Sequence, residues 1–259
     1  MKKKKIYSLV VIAVFFSILF LSNKSNRYTG INYTIEKERI TNFQKISDFY
    51  KRSLKYKNLV ETINKDTKNK KKRVINTSLW IYKNIKKISL NSDIIDSHPW
   101  TIIERKMGAK DQFSDILSVL LIYCNIDSFY IDQFNKTSHP LTFFKYNESW
   151  SIIDPYYGVY FSNNKGSFSS ISEIKDGDWI MEHLIFGKIK SNNIDKIFFD
   201  KNFHNKQDLN TYYKNLFSNL PSSKKIDATK IYYRGGRSYI QKPFYRILYQ
   251  LREIFLFVG

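Results

Sequence analysis

The 259-residue sequence reads as an α+β body carried behind an N-terminal transmembrane helix. Residues 6–22 are an uncharged apolar run preceded by four lysines. Apolar residues then recur at helical intervals to about residue 124, after which the period shortens to that of strands. Helices followed by strands joined through short turns imply a helix packed on an antiparallel sheet. Hydrophobic residues at 42% and aromatic residues at 17% suffice for a packed core and exclude a disordered chain.

Taken in order, the first element is the anchor. A helix over 6–22 rises ~1.5 Å per residue to about 25 Å, near the lower limit for a bilayer core. A cleaved signal peptide shares the charged start and apolar middle, but Leu19-Phe20-Leu21-Ser22-Asn23 offers no small-x-small site. Lys2, Lys3, Lys4 and Lys5 hold the N-terminus in the cytoplasm, which sends the remainder outside in a single pass. Residues 24–44 are polar and read as a linker. Ile46, Phe49, Tyr50, Leu54, Leu59 and Ile63 place a helix over 45–66, and the lysine-rich stretch 66–73 reads as a solvated turn. A second helix over 74–85 puts Ile75, Leu79, Trp80 and Ile85 on one stripe.

His98-Pro99-Trp100 falls on the following loop. After Gly108 a third helix runs to about Cys124, with Asp111 or Ser114 as its cap. Strands follow over 129–131, 141–146 and 149–154, with Asn147-Glu148 turning between the last two. Residues 154–166 read as loop with a short strand, and 170–174 as the start of another helix. Near the end, Phe244, Ile247, Leu248, Leu251, Ile254, Phe255 and Val258 form an apolar stripe at helical spacing. The expected organisation is cytoplasmic lysines and anchor (1–23), linker and helical segment (24–73), main domain (74–200) and a C-terminal extension with an amphipathic helix (201–259).

A formal charge of +20 attracts anionic surfaces, so an anionic glycan, a lipid headgroup or an envelope protein is the expected partner. No zinc-finger spacing or recognition-helix pattern is present, and no nucleic acid is expected. Cys124 is the single cysteine, which excludes an intramolecular disulfide; at the far end of an apolar helix it packs as a small hydrophobe. His183 and His204 stand isolated, so no metal-ligand set and no cofactor are expected.

The chemistry-bearing pieces are Met107-Gly108-Ala109-Lys110-Asp111-Gln112-Phe113-Ser114, then His139, then Trp150-Ser151-Ile152-Ile153-Asp154-Pro155 and Tyr157-Gly158-Val159-Tyr160-Phe161. In that order, and with Leu79-Trp80-Ile81-Tyr82 ahead of them, they resemble the transglutaminase-like branch of the papain-like cysteine hydrolases. The resemblance covers about 40% of the chain, from about Val74 to Glu173. It implies a nucleophile at a helix start, a histidine that moves the proton and an aspartate that orients the histidine. His139 and Asp154 then take the second and third roles, and Lys110 stands where the cysteine belongs.

That departure changes the chemistry. A thiolate gains from the positive end of a helix, whereas an ammonium loses there and has no free electron pair. The reading is a degenerate member that binds or scaffolds at the bacterial inner membrane with its domain extracytoplasmic. The resemblance associates such proteins with surface-polysaccharide assembly. Two alternatives stay open: an amide hydrolase or acyl transferase using His139 and Asp154 with Lys110, Ser114 or another non-cysteine nucleophile, and a membrane protein whose domain is a spacer.

Overall fold

The computed structural model describes residues 2–29, 36–88, 98–131, 139–198 and 206–222; within them the side chains of 2–5, 9, 25, 27–29, 36 and 206 are outside the described set. His204 and the stripe at 244–258 lie outside the described residues. Helix α1 (Lys2–Ser22) leads into an antiparallel pair, β1 (Lys24–Thr29) and β2 (Glu36–Thr41). Helices α2 (Asn42–Ile63) and α3 (Lys70–Asn84) follow, then β3 (Lys86–Lys87), α4 (Pro99–Arg105), β4 (Met107–Gly108) and α5 (Lys110–Tyr123). Strands β5 (Ser128–Ile131), β6 (Leu141–Tyr146), β7 (Ser149–Asp154) and β8 (Val159–Ser162) come next, then α6 (Ile171–Asp176), β9 (Ile180–His183) and β10 (Gly187–Lys188). A 3-10 turn (Ser191–Asn193), α7 (Ile194–Ile197) and α8 (Lys206–Phe217) complete the described chain.

The sheet runs β10-β9-β8-β7-β6-β5, every neighbour antiparallel, so its order is the reverse of chain order. Helix α5 is its counterpart. Phe113, Ile116, Leu117, Leu120 and Leu121 are buried all round it, because α5 lies against β5 and β6 on one side and α2, α3 and α4 on the others. The architecture is therefore α+β with helices on an antiparallel sheet. Among the described residues no helix is long and apolar enough to cross a membrane. Helix α1 nevertheless exposes Ile6, Val10, Val11, Val14, Phe15, Ile18 and Phe20.

Local chemistry explains most boundaries. Thr41 and Gln44 form a capping box at α2, with the Thr41 N–H donating to Gln44 Oε1 at 2.8 Å and Gln44 N–H to Thr41 Oγ1 at 3.1 Å. Asn69 caps α3 by accepting from the Lys72 N–H at 3.0 Å. Lys70, Lys71, Lys72 and Arg73 thus belong to the first turn of α3 and not to a solvated turn, because a capped start lets good helix formers continue it. The 24–44 linker is corrected too: most of it forms the β1–β2 pair, whose polar strands carry no alternation to betray them. Pro99 and Trp100 are not loop but the first turn of α4, and His98 caps it from the extended residue before, its Nδ1 accepting from the Trp100 N–H at 3.2 Å with Pro99 at the first helical position.

Between β6 and β7, Asn147 and Glu148 both take positive φ (45° and 62°), the two-residue turn that matches the twist of a hairpin. Residues expected in the C-terminal extension also reach the core. Leu209, Tyr213, Leu216 and Phe217 of α8 are buried, with Tyr213 and Phe217 against Phe161 of β8.

Candidate functional site

His139 lies just before β6, and Asp154 is the last residue of β7, the neighbouring strand. Their Nε2 and Oδ2 atoms are 2.6 Å apart, and the residues are 2% and 0% exposed. The carboxylate is fully engaged. Oδ2 also accepts from the Tyr213 hydroxyl at 2.8 Å, and Oδ1 from the Tyr157 N–H at 3.0 Å. The last of these closes a local turn over Asp154-Pro155-Tyr156-Tyr157, a habit of aspartate at strand ends. Burial pushes the Asp154 carboxyl up, but the His139 charge and the hydrogen bonds from His139, Tyr157 and Tyr213 outweigh it and hold the group below its usual value. Next to that carboxylate, burial above all drives the Tyr213 phenol well above its usual range.

The other imidazole nitrogen is taken as well. His139 Nδ1 lies 2.7 Å from the Tyr212 hydroxyl. An ionised carboxylate only accepts, so Nε2 carries a proton, and in the neutral ring Nδ1 accepts from Tyr212. The ring is stacked on Tyr157 (centroids 5.7 Å, planes 13° apart) and meets Tyr212 edge-on at 5.5 Å. Four side chains from the start of β6, the end of β7 and α8 therefore close one polar network.

Lys110 opens α5, and Nζ donates to the Tyr157 hydroxyl at 3.0 Å while standing over the Tyr156 and Tyr157 rings at 5.2 and 5.1 Å. Lys110 and His139 thus meet on one residue, Tyr157. The α5 start is stabilised by Gln112, whose Oε1 accepts from the Ala109 N–H at 3.1 Å and from Arg105 at 2.8 Å. This replaces the cap expected from Asp111 or Ser114. A side chain three positions into the helix is the one that reaches the cap N–H. Ser114 Oγ is buried without a hydrogen-bond partner among the described residues, so it is not bonded to His139. Cys124 is buried at the far end of α5 beside Asn64 and Thr77 (3.7 and 3.6 Å).

A nitrogen base held by a carboxylate, with a hydroxyl on its second nitrogen, is the geometry of general-base activation. The hydroxyl belongs to Tyr212, which sequence reasoning missed. No family model and no curated relative matches the chain. Two solved structures align with it. A candidate cysteine protease from Cytophaga hutchinsonii is 16% identical at TM-score 0.34, covering 52% of this chain and 62% of that one. A candidate protease from Parabacteroides distasonis is 11% identical at TM-score 0.34, covering 66% of this chain and 40% of that one. The aligned part spans less than two thirds of either neighbour.

His183, on β9, is the second buried histidine of this face. Nδ1 accepts from the Ile185 and Phe186 N–H groups at 3.1 and 3.3 Å, which leaves the proton on Nε2. Nε2 faces the Tyr157 carbonyl but is in no well-formed hydrogen bond. Burial first, and then the Lys87 charge, lower this imidazole to about 4. Gly158 (φ 69°) lies between: a Cβ there would stand 2.8 Å from the Tyr82 ring and 3.1 Å from His183 Nε2.

Proposed function

We propose that the chain is a membrane-anchored binding or scaffolding protein with a transglutaminase-like body, whose His139–Asp154 pair braces the fold and turns over no amide. The observation that carries this reading is the engagement of both nitrogens of a buried imidazole, by Asp154 at 2.6 Å and Tyr212 at 2.7 Å. A ring so placed has no nitrogen left for an incoming nucleophile unless Tyr212 moves. At the position where a thiol would start the reaction, Lys110 supplies a cation.

The anchor is α1. Its exposed apolar side chains lie on all sides of the helix, the pattern of a segment surrounded by lipid and not of one lying on a core. With four lysines ahead of it, the domain faces away from the cytoplasm of a bacterial inner membrane. The +20 charge suits an anionic glycan, lipid headgroup or envelope protein as partner; surface-polysaccharide assembly as context rests on the family resemblance alone.

A second reading has its own observation. Tyr212 Oη is within hydrogen-bond reach of His139 Nδ1, so a hydrolase or acyl transferase would use Tyr212 as the non-cysteine nucleophile. The purified full chain, incubated with nitrophenyl esters and glutamine peptides, decides between them. The expected result is no turnover and no acyl adduct by intact mass. Turnover that Tyr212→Phe and His139→Ala both abolish overturns the binding reading in favour of catalysis.

A further inference from the structure

The first half of α2 carries an apolar face that the described residues leave exposed. Phe43, Ile46 and Tyr50 are 62%, 53% and 56% exposed, and Leu54 extends the same stripe by one turn. The opposite side of α2 is the one that packs: Tyr56 and Val60 are buried in the core. A soluble helix does not ordinarily leave both an inner and an outer face apolar.

What covers the outer face follows from where α2 begins. Asn42, its first residue, donates from Nδ2 to the Phe20 carbonyl at 2.9 Å and from its backbone N–H to the Asn23 carbonyl at 2.9 Å. These bonds fasten the start of α2 to the last turn of α1, where the apolar residues of α1 end. The exposed stripe is therefore continuous with the exposed apolar surface of α1. Cations outnumber acids around the joint: Lys24, Lys37, Arg39, Lys45 and Lys51 are exposed there, while Glu38 and Asp48 are half-buried. An apolar strip containing aromatics and rimmed by lysine and arginine is the chemistry that settles between lipid headgroups and acyl chains, more strongly when the headgroups are anionic.

We infer that the N-terminal half of α2 lies in the membrane interface, with Phe43, Ile46 and Tyr50 in the lipid, and that this holds the domain down on the bilayer. The occupant is an anionic lipid surface. The inference rests on the reading of α1 as an anchor.

The test uses the full chain in nanodiscs of phosphatidylcholine and phosphatidylglycerol. An environment-sensitive dye is attached through Ile46→Cys, and in a second sample through Asn215→Cys at an exposed position of α8; buried Cys124 stays unlabelled, with the parent chain as blank. Spin-labelled lipid is expected to quench the dye at 46 about threefold more than at 215, and iodide the reverse. Phe43→Ser with Tyr50→Ser lowers the lipid quenching at 46. A dye at 46 that iodide quenches as freely as at 215 overturns the inference while leaving the anchor intact. Protection from both quenchers means that protein covers the stripe, residues 244–258 or a second copy, and also overturns it. Release of the full chain from membranes by alkaline carbonate overturns the anchor reading, and this one with it.

Discussion

Two histidines lie buried on one sheet, and their surroundings are opposite. His139 has a carboxylate on one nitrogen and a phenol on the other. His183 has two backbone N–H groups on Nδ1, a poorly bonded Nε2, and the Lys87 charge acting on it. At His183 burial and the Lys87 charge disfavour the charged ring, whereas at His139 a carboxylate on the neighbouring strand and a phenol from α8 fix both nitrogens. The lesson is that burial alone does not define a histidine's surroundings; the partners on neighbouring elements decide.

The strongest way to break this contrast is to remove the anion. Asp154→Ala leaves His139 Nε2, the Tyr213 hydroxyl and the Tyr157 N–H facing an apolar void, and the expected loss is about 3–5 kcal/mol in denaturant unfolding. A loss near that of an ordinary surface substitution would mean that the pair braces nothing.

Acid sharpens the contrast. The folded-state value of His183, about 4, lies below the 6.5 of a free imidazole, so the unfolded chain binds the extra proton between those values. Stability falls as pH drops from about 6.5 to 4, by about 2 kcal/mol, and His183→Asn should flatten that window. Asp154 contributes in a different one: its folded value lies below 3.8, so its contribution is held above that pH and lost as pH falls through the lowered value. An acid titration of unfolding free energy on wild type and His183→Asn separates the two.

The smallest effects divide the tyrosines. Tyr213→Phe takes a hydrogen bond from a charged acceptor and should cost about 2 kcal/mol; Tyr212→Phe takes one from a neutral nitrogen and should cost about 1 kcal/mol. Reversal of that order in thermal unfolding would make the Tyr212 bond to His139, and not the Tyr213 bond to Asp154, the stronger brace.

Much of the sheet was legible. The strands over 141–146 and 149–154 and the Asn147-Glu148 turn stand where the pattern put them, since a short turn between apolar runs permits few alternatives. Helix α5 was legible because ten of its fourteen residues are buried, and a helix buried all round reads as a continuous apolar run. The pairing of His139 with Asp154 came from their order in a family resemblance, and the strand register then brought them together. Tyr212 and Tyr213 were out of reach. They are two of 19 tyrosines, in a stretch assigned to an extension, and no local period distinguishes a core tyrosine from a surface one. The β1–β2 pair was hidden for the complementary reason: Glu36-Lys37-Glu38-Arg39 shows no apolar alternation, and its pairing rests on backbone bonds that any sequence can make.

Tyr212 closes on His139 from 73 residues downstream. During synthesis, Asp154 and His139 emerge well before the helix that shields them, so the nascent chain carries a half-covered hydrogen-bonded pair until α8 arrives. A product ending at residue 200 would keep every strand of the sheet and still present Phe161 and the aspartate to water. The finishing helix therefore acts as a checkpoint on folding: until α8 docks, an apolar face of the sheet stands open to proteases, and its arrival closes it.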